Sequence, residues 1–354
     1  MKSRLREYLI KHGSHSPAYS SLQDGLEYFM IPGTGYIPYA RASSGMAFAL
    51  SNPICSLDDY PALVGAFIER FPRVAFLHVT PEAAGRLAKL GFYMNEMGVE
   101  TELCLRGFTY RGRYKESMRR MIRRAAEAGL HVCEYDGRPD METELRKISD
   151  EWLSTKTVRD REFWFLVRRA VYEREPDVRK FVAMERGRAV GFIFFDPMYR
   201  DGRVYGYLAS ALRTRHGAHR GTLALIMSRA IETFRSDGIE VLSLGLSPFC
   251  EVEDSSYRHS LLMKHIFRFL YERGAGVYSF KGLSFFKARF GGGLCEGQMR
   301  DSSVTRRKIY FAHRSRLPLR ELYESSRLVG IIDNPIGAMR RLLLGLSLVK
   351  GEAG

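Results

Sequence analysis

VYGYLASALRTRHGAHRGTLALIMSRAIETFRSDGIEVLSLGLSPF, Val204 to Phe249, is the stretch that decides the fold. It opens on a strand pattern, VYGYLAS, passes through the glycine-bearing loop RTRHGAHRGT, and runs into a long helix closed by Gly238. It leaves by a second strand, IEVLSLGL, which Gly245 breaks and Pro248 stops. A strand that stops this way ends where a substrate can sit. Upstream, FVAMERGRAVGFIFFDPMY gives two strands around a turn at Gly187, and HVCEYD gives another. METELRKISDEWLSTK is an amphipathic helix with Leu145, Ile148, Trp152 and Leu153 on one face.

The first half carries a similar rhythm. IPGTGYIPYARASSGMAFALSNPI reads as short strands joined by turns, and Leu57 to Arg70 as a helix. VAFLHVT, Val74 to Thr80, is a short buried strand, Pro81 to Leu90 a helix ended by Gly91, and GVETELCL a closing strand. Alternating strands and helices predict an α/β protein. Between the halves, RGRYKESMRRMIRRAAEAG, Arg111 to Gly129, reads as one helix with Met118, Met121, Ile122 and Ala125 as its apolar stripe. Arg111, Lys115, Arg119, Arg120, Arg123 and Arg124 make the rest strongly basic. The face either contacts phosphates or is a solvated connector.

The 354 residues suit roughly two domains of about 150 residues each. Lys and Arg outnumber Asp and Glu by 55 to 40, a net charge of +15 that concentrates polyanions such as nucleic acid or anionic lipid. Cys55, Cys104, Cys133, Cys250 and Cys295 form no CxxC pair, so neither a disulfide framework nor a metal site is indicated, and a reducing cytoplasm is expected. The N-terminus MKSRLREYLIKHGSHS lacks an apolar core, and no apolar run reaches the ~20 residues needed to span a bilayer. A soluble protein, or one peripheral on the cytoplasmic membrane face, is therefore expected. The late segment IGAMRRLLLGLSLVK either lies in a membrane interface or docks on the protein's own core.

The order hairpin, strand, glycine-bearing loop, helix and strand is similar to the GNAT acyltransferase core, and the first half resembles a degenerate copy of it. Four further segments, LGFYMNEMGVETELCLRGFTYRGRYKESMRRMIRRAAEAG, RKISDEWLSTK, LSLGLSPF and YSFKGLSFFKARF, resemble the C-terminal catalytic domain of lysylphosphatidylglycerol synthases, also called multiple peptide resistance factors. The resemblance implies two tandem GNAT-like domains with mixed central sheets flanked by helices: a degenerate domain over residues 1–110, a basic connecting helix over 111–129, a catalytic domain over 130–315 and an amphipathic tail over 316–354. It implies transfer of an aminoacyl group from charged tRNA to a phosphatidylglycerol-like lipid or another hydroxyl or amine acceptor, in a chain without the family's flippase domain. No cofactor is implied, aminoacyl-tRNA being a co-substrate; the partners are that tRNA and an anionic phospholipid or membrane surface. YLASALR keeps Arg213 but lacks the family's aspartate, and GGGLCEGQMR replaces its proline and tryptophan run, so a different acceptor or amino acid is expected.

Aminoacyl transfer needs a held ester carbonyl, a proton acceptor for the nucleophile and donors for the oxyanion. Arg213 at a strand end, Ser247 at the cleft mouth, Glu251 just beyond and Lys287 are the candidate catalytic residues. Arg289, His216, His219 and Glu253 are candidate substrate contacts, with Asp254 beside them, and Arg111, Lys115, Arg119, Arg120, Arg123 and Arg124 are candidate tRNA contacts. YSFKGLSFFKARF, Tyr278 to Phe290, reads as a strand with Lys287 and Arg289 on one face and the rings on the other. Cys250 reads as a packed thiol. Two alternatives stay open: a CoA-dependent N-acyltransferase using RTRHGAHRGT as a pyrophosphate loop, and a noncatalytic membrane or nucleic-acid binding module.

Overall fold

The computed structural model describes residues 1–135, 137–154, 164–274, 278–293 and 300–330. The first half contains α1 (Lys2–His12), β1 (Glu27–Ile31), β2 (Gly35–Arg41), β3 (Ala47–Leu50), β4 (Ile54–Cys55), α2 (Tyr60–Arg70), β5 (Val74–Val79), α3 (Pro81–Lys89) and β6 (Tyr93–Cys104). The helix α4 (Glu116–Glu127) leads into β7 (His131–Glu134), α5 (Pro139–Ser154), β8 (Arg179–Glu185), β9 (Arg188–Arg200) and β10 (Arg203–Thr214). There follow α6 (Thr222–Ser236), β11 (Val241–Pro248), α7 (Leu261–Arg273), α8 (Phe280–Ala288), β12 (Val304–His313) and α9 (Leu319–Leu328). Strands and helices alternate as expected, but Phe280–Ala288, expected as strand, is helix. Its buried positions Phe280, Ser284, Lys287 and Ala288 recur at helical spacing. Aromatic content favoured a strand, and packing overrode it.

All the described strands join one mixed sheet in the order β1-β2-β3-β5-β12-β6-β11-β10-β9-β8-β7, with β4 paired to β2. The central six, β3-β5-β12-β6-β11-β10, form a palindrome. In the first half β3, α2, β5, α3 and β6 run in sequence; in the second β10, α6, β11, α7, α8 and β12 do the same. Both β3 with β5 and β10 with β11 are parallel, as a helical crossover requires. Each half then lends its last strand to the other. β6 pairs with β11, and β12 lies between β5 and β6. These are the two tandem halves expected, and their strands interleave: 304–313, late in the chain, complete the sheet of the first half.

The exchange places β6 at the centre, and almost every one of its residues is buried, Glu96 and Glu100 included. Around it the helices cover both faces. α6 packs through Phe234 on Phe181, Phe195 and Tyr207, while Leu145 and Ile148 of α5 cover Phe192 and Phe194 on the other face. Helices α7 to α9 close a third apolar cluster around Phe48, Leu77, Val99, Phe249 and Phe311. Fully burying one such large apolar side chain contributes about 1.5–3 kcal/mol, so each interface holds its helix firmly in place.

The basic helix starts later than expected, at Glu116. Lys115 precedes it and is buried over the Phe108 ring in an ion pair with Asp301. It braces the fold and presents no charge to a ligand. The helix packs against α6 at Gly221, where a Cβ would lie 2.5 Å from the Met121 carbonyl oxygen. Only glycine permits that approach.

Candidate active site

β10 and β11 pair only from Gly206–Val241 to Leu208–Ser243. Beyond that, β10 stays with β9 to Thr214 and β11 stays with β6 to Pro248, so the two strands part. Irregularities widen the gap on both sides, between Ala209 and Ala211 and between Ser243 and Leu246. Gly245 sits in the latter with φ of 75°, a left-handed backbone that favours glycine. The sequence signal at Gly245 and Pro248 therefore marks a wedge between two parallel strands.

Lys287 reaches into this wedge from α8. Its Nζ donates to the Leu246 carbonyl at 2.7 Å and would lie 3.7 Å from a Cβ built on Gly245. The side chain is buried, and this desolvation pulls its pKa down to about 7 against the opposing pull of Glu100 and Cys250. Near neutral pH a large share of this amine is uncharged. A neutral amine that holds its carbonyl contact through one N–H keeps a lone pair for a proton.

Glu100, from the central strand of the other half, is the residue that sequence reasoning missed. Burial raises its pKa, but His78, Ser16 and Ser243 outweigh that and hold it at about 2. Ser243 Oγ donates to Oε1 at 2.9 Å, and the Ser16 hydroxyl also contacts it. The Ser243 hydroxyl oxygen also accepts the Gly245 N–H at 3.0 Å, linking the carboxylate to the strand break. The sequence reading of GVETELCL as a closing strand gave Glu100 no role. Only the placement of β6 between β12 and β11 buries it.

Ser247 is buried in the parted segment of β11, and its hydroxyl has no hydrogen-bond partner among the described residues. Cys250 is buried, 3.0 Å from the Ser284 hydroxyl, and its sulfur accepts from Arg306 at 3.2 Å. Arg306, which no motif singled out, also ion-pairs with Glu251. That pairing engages the Glu251 carboxylate. Glu253 is exposed, 3.5 Å from the Lys308 ammonium, and Asp254 pairs with Lys264 and His259.

Arg213 is buried at the end of β10, where it donates to the Tyr172 hydroxyl at 3.3 Å and lies over Trp152. The expected shared face of Lys287 and Arg289 does not form. Two residues on a helix point in nearly opposite directions, and Arg289 lies over Phe285. His216 and His219 lie on the loop before α6, where five of the N–H groups are already engaged. Arg215 N–H donates to Val190, His216 to Glu151, Ala218 to Arg215, Gly221 to the His219 ring and Thr222 to the His219 carbonyl. With Glu144 and Glu151 paired to Arg215 there as well, a pyrophosphate would meet two carboxylates.

On the basic helix Arg120, Arg123 and Arg124 are exposed, as is Arg111 ahead of it. Arg119 donates to the carbonyls of Tyr110 and Gly112 and so ties down the helix start. No helix among the described residues is long and apolar enough to cross a membrane. The Leu-rich segment 336–350 and most of GGGLCEGQMR lie outside the described residues.

Comparison with known proteins agrees with this arrangement. The sequence model of the family described as phosphatidylglycerol lysyltransferase, C-terminal, matches residues 6–292. The phosphatidylglycerol lysyltransferase of Bacillus subtilis (strain 168) is 22% identical over 294 residues, 81% of this chain and 33% of that protein. The chain thus spans about a third of the length of that curated relative. The solved structure of L-PGS from Bacillus licheniformis superposes with a TM-score of 0.76 at 20% identity, covering 93% of this chain and 96% of that one. A solved C-terminal domain from Agrobacterium fabrum, described as a candidate lysylphosphatidylglycerol synthetase, gives 0.73 at 21% identity over 92% and 95% of the two chains. At such identities the structures speak for the fold. The family match runs across most of the sequence, and this protein therefore belongs to the phosphatidylglycerol lysyltransferase C-terminal family.

Proposed function

We propose that this chain is an aminoacyltransferase that moves an aminoacyl group from charged tRNA to a hydroxyl of a phosphatidylglycerol-like lipid, in the wedge between β10 and β11. The observation that carries the reading is the Lys287 amine, buried where β10 and β11 part and bonded to the Leu246 carbonyl, where desolvation lowers its pKa. The acceptor oxygen attacks the ester carbonyl carbon and its proton passes to neutral Nζ. The oxyanion is met by the unpartnered Ser247 hydroxyl. Collapse breaks the bond to the tRNA ribose oxygen, which takes the proton back from Lys287. Aminoacyl lipid and free tRNA result, and no cofactor is needed. The exposed Arg111, Arg120, Arg123 and Arg124 attract the tRNA, and the chain works on the cytoplasmic membrane face. The carboxylates of Glu144 and Glu151 at the loop before α6 speak against a CoA thioester as donor.

The test incubates purified protein with tRNA carrying labelled amino acids and phosphatidylglycerol vesicles. Label is expected in the lipid fraction and is expected to vanish after RNase treatment. Full activity with an acyl-CoA and no tRNA would overturn the reading. Arg120→Glu with Arg124→Glu is expected to weaken tRNA binding and to flatten its salt dependence, each lost phosphate contact removing about 0.7–0.9 from the log–log slope. An unchanged affinity and slope would make α4 a connector only.

A further inference from the structure

Where β12 ends, the chain turns through Arg314-Ser-Arg-Leu-Pro-Leu-Arg320 into α9. Leu317 and Leu319 are 68% and 60% exposed, and Tyr323, one helical turn beyond Leu319, is 41% exposed. A fixed turn presents these side chains. Leu319 N–H donates to the Leu317 carbonyl at 2.9 Å and Leu322 N–H to Pro318 at 2.9 Å. The His313 ring is 2.9 Å from the Ser315 carbonyl, and the Ser315 hydroxyl contacts Glu321. Arg316, Arg320 and Arg327 are exposed among the leucines, with Arg327 5.9 Å from the Tyr323 ring centroid. The two carboxylates of the same stretch, Glu321 and Glu324, are only 5% and 7% exposed. The surface thus shows apolar and cationic groups and hides its anionic ones.

From this we infer that the 314–327 surface docks the protein on an anionic bilayer, Leu317, Leu319 and Tyr323 entering the interface and the arginines meeting lipid phosphates. Charge complementarity selects this occupant: a protruding apolar pair flanked by cations and an interfacial tyrosine is the composition that binds a lipid surface. The inner side of α9, through Leu322, Leu328 and Val329, packs into the cluster that also seats Phe280 at the start of α8. Docking here therefore brings the bilayer to the helical layer that carries Lys287. The inference deepens the aminoacyl-lipid reading by naming the surface that meets the lipid, and its test needs no transfer activity.

The test is flotation of the full chain with phosphatidylglycerol-containing and with purely phosphatidylcholine vesicles, in the absence of tRNA. Wild type is expected to bind the former and to be released by salt. Leu317→Ala with Leu319→Ala is expected to lower partitioning at least tenfold while keeping the salt dependence. Arg316→Ala with Arg320→Ala is expected to lower it roughly 30-fold, about fivefold for each cation near an anionic surface, and to flatten the salt dependence. Leu57→Ala, at an exposed leucine in the first half, is expected to change nothing. In Leu317→Trp, indole fluorescence is expected to shift to the blue and to be quenched by brominated acyl chains. The inference is overturned if wild type does not float, if both double variants float as wild type, or if the indole of Leu317→Trp stays unquenched in bound protein. It is equally overturned if the leucines drive self-association without lipid, or if the arginine pair loses tRNA affinity with flotation unchanged. Intact flotation with no tRNA-dependent product would instead sink the transfer reading alone.

Discussion

The parallel pairs β3/β5 and β10/β11 occupy equivalent places in the palindromic sheet, yet one wedge is stitched shut and the other is open. Each parallel pair is followed by a left-handed backbone position, His78 with φ of 63° in the first half and Gly245 with φ of 75° in the second. In the first, Ser51 N–H donates to Leu77 at 2.7 Å and Ser51 Oγ to the His78 carbonyl at 3.0 Å. Asn52 and Thr80 then exchange two hydrogen bonds, at 3.0 and 3.1 Å. In the second, both strands run on and Lys287 enters between them. The difference teaches that the duplicated scaffold alone does not make a site. One half closes its wedge with backbone and side-chain hydrogen bonds, and contributes instead His78 and Glu100 as the electrostatic backing of the other.

Lys287→Met tests the open wedge most directly. It keeps most of the apolar side chain and removes the base, so turnover is expected to fall by about 10²–10⁴, read as lipid-bound label per minute, with KM little changed. The stability profile gives a second readout. The folded pKa near 7 lies below that of an unfolded lysine, so between about pH 7 and pH 10 the unfolded chain binds the extra proton and wild-type stability rises with pH. The methionine variant is expected to lose that rise in chemical denaturation. A variant with wild-type turnover would take the base out of the wedge.

Glu100→Gln asks whether the first half serves the second. The carboxylate raises the pKa of Lys287, so its removal is expected to move the acidic limb of the pH–rate profile to lower pH. Stability is expected to drop by about 1–3 kcal/mol as the Ser16 and Ser243 contacts weaken. A limb that stays in place would make Glu100 a structural group. Gly245→Ala is smaller still: a Cβ would sit 3.2 Å from Leu208 Cδ1 in a left-handed conformation, and about 1 to 3 kcal/mol of strain is expected in thermal unfolding.

Much of the wedge could be read from the sequence, because its determinants are local. Gly238 closes a helix, Gly245 breaks a strand and Pro248 stops it, and each acts on the backbone where it stands. What stayed hidden depends on contacts between distant segments. Pairing of 93–104 with 304–313 crosses some 200 positions, and neither strand announces its partner. That pairing is what buries Glu100 and turns an unremarkable polar position into the anion beside Lys287. Lys115 misled for the same reason: its spacing matched a basic row, but Asp301 and Phe108, brought in by the fold, claim it. YSFKGLSFFKARF misled because five aromatics spoke for a strand while the buried positions keep helical spacing.

Asn52→Ala gives the smallest effect and the sharpest contrast between the two wedges. It removes both bonds to Thr80, leaving the Thr80 N–H to find a new partner at the mouth of the first wedge. The expected cost is about 1–2 kcal/mol in denaturant unfolding. Turnover is expected to stay at the wild-type value, since Asn52 touches neither Glu100 nor Lys287 among the described contacts. Should turnover instead fall as it does in Lys287→Met while stability holds, the closed wedge would itself contact substrate. The asymmetry would then lie in which ligand each half takes rather than in which half is open.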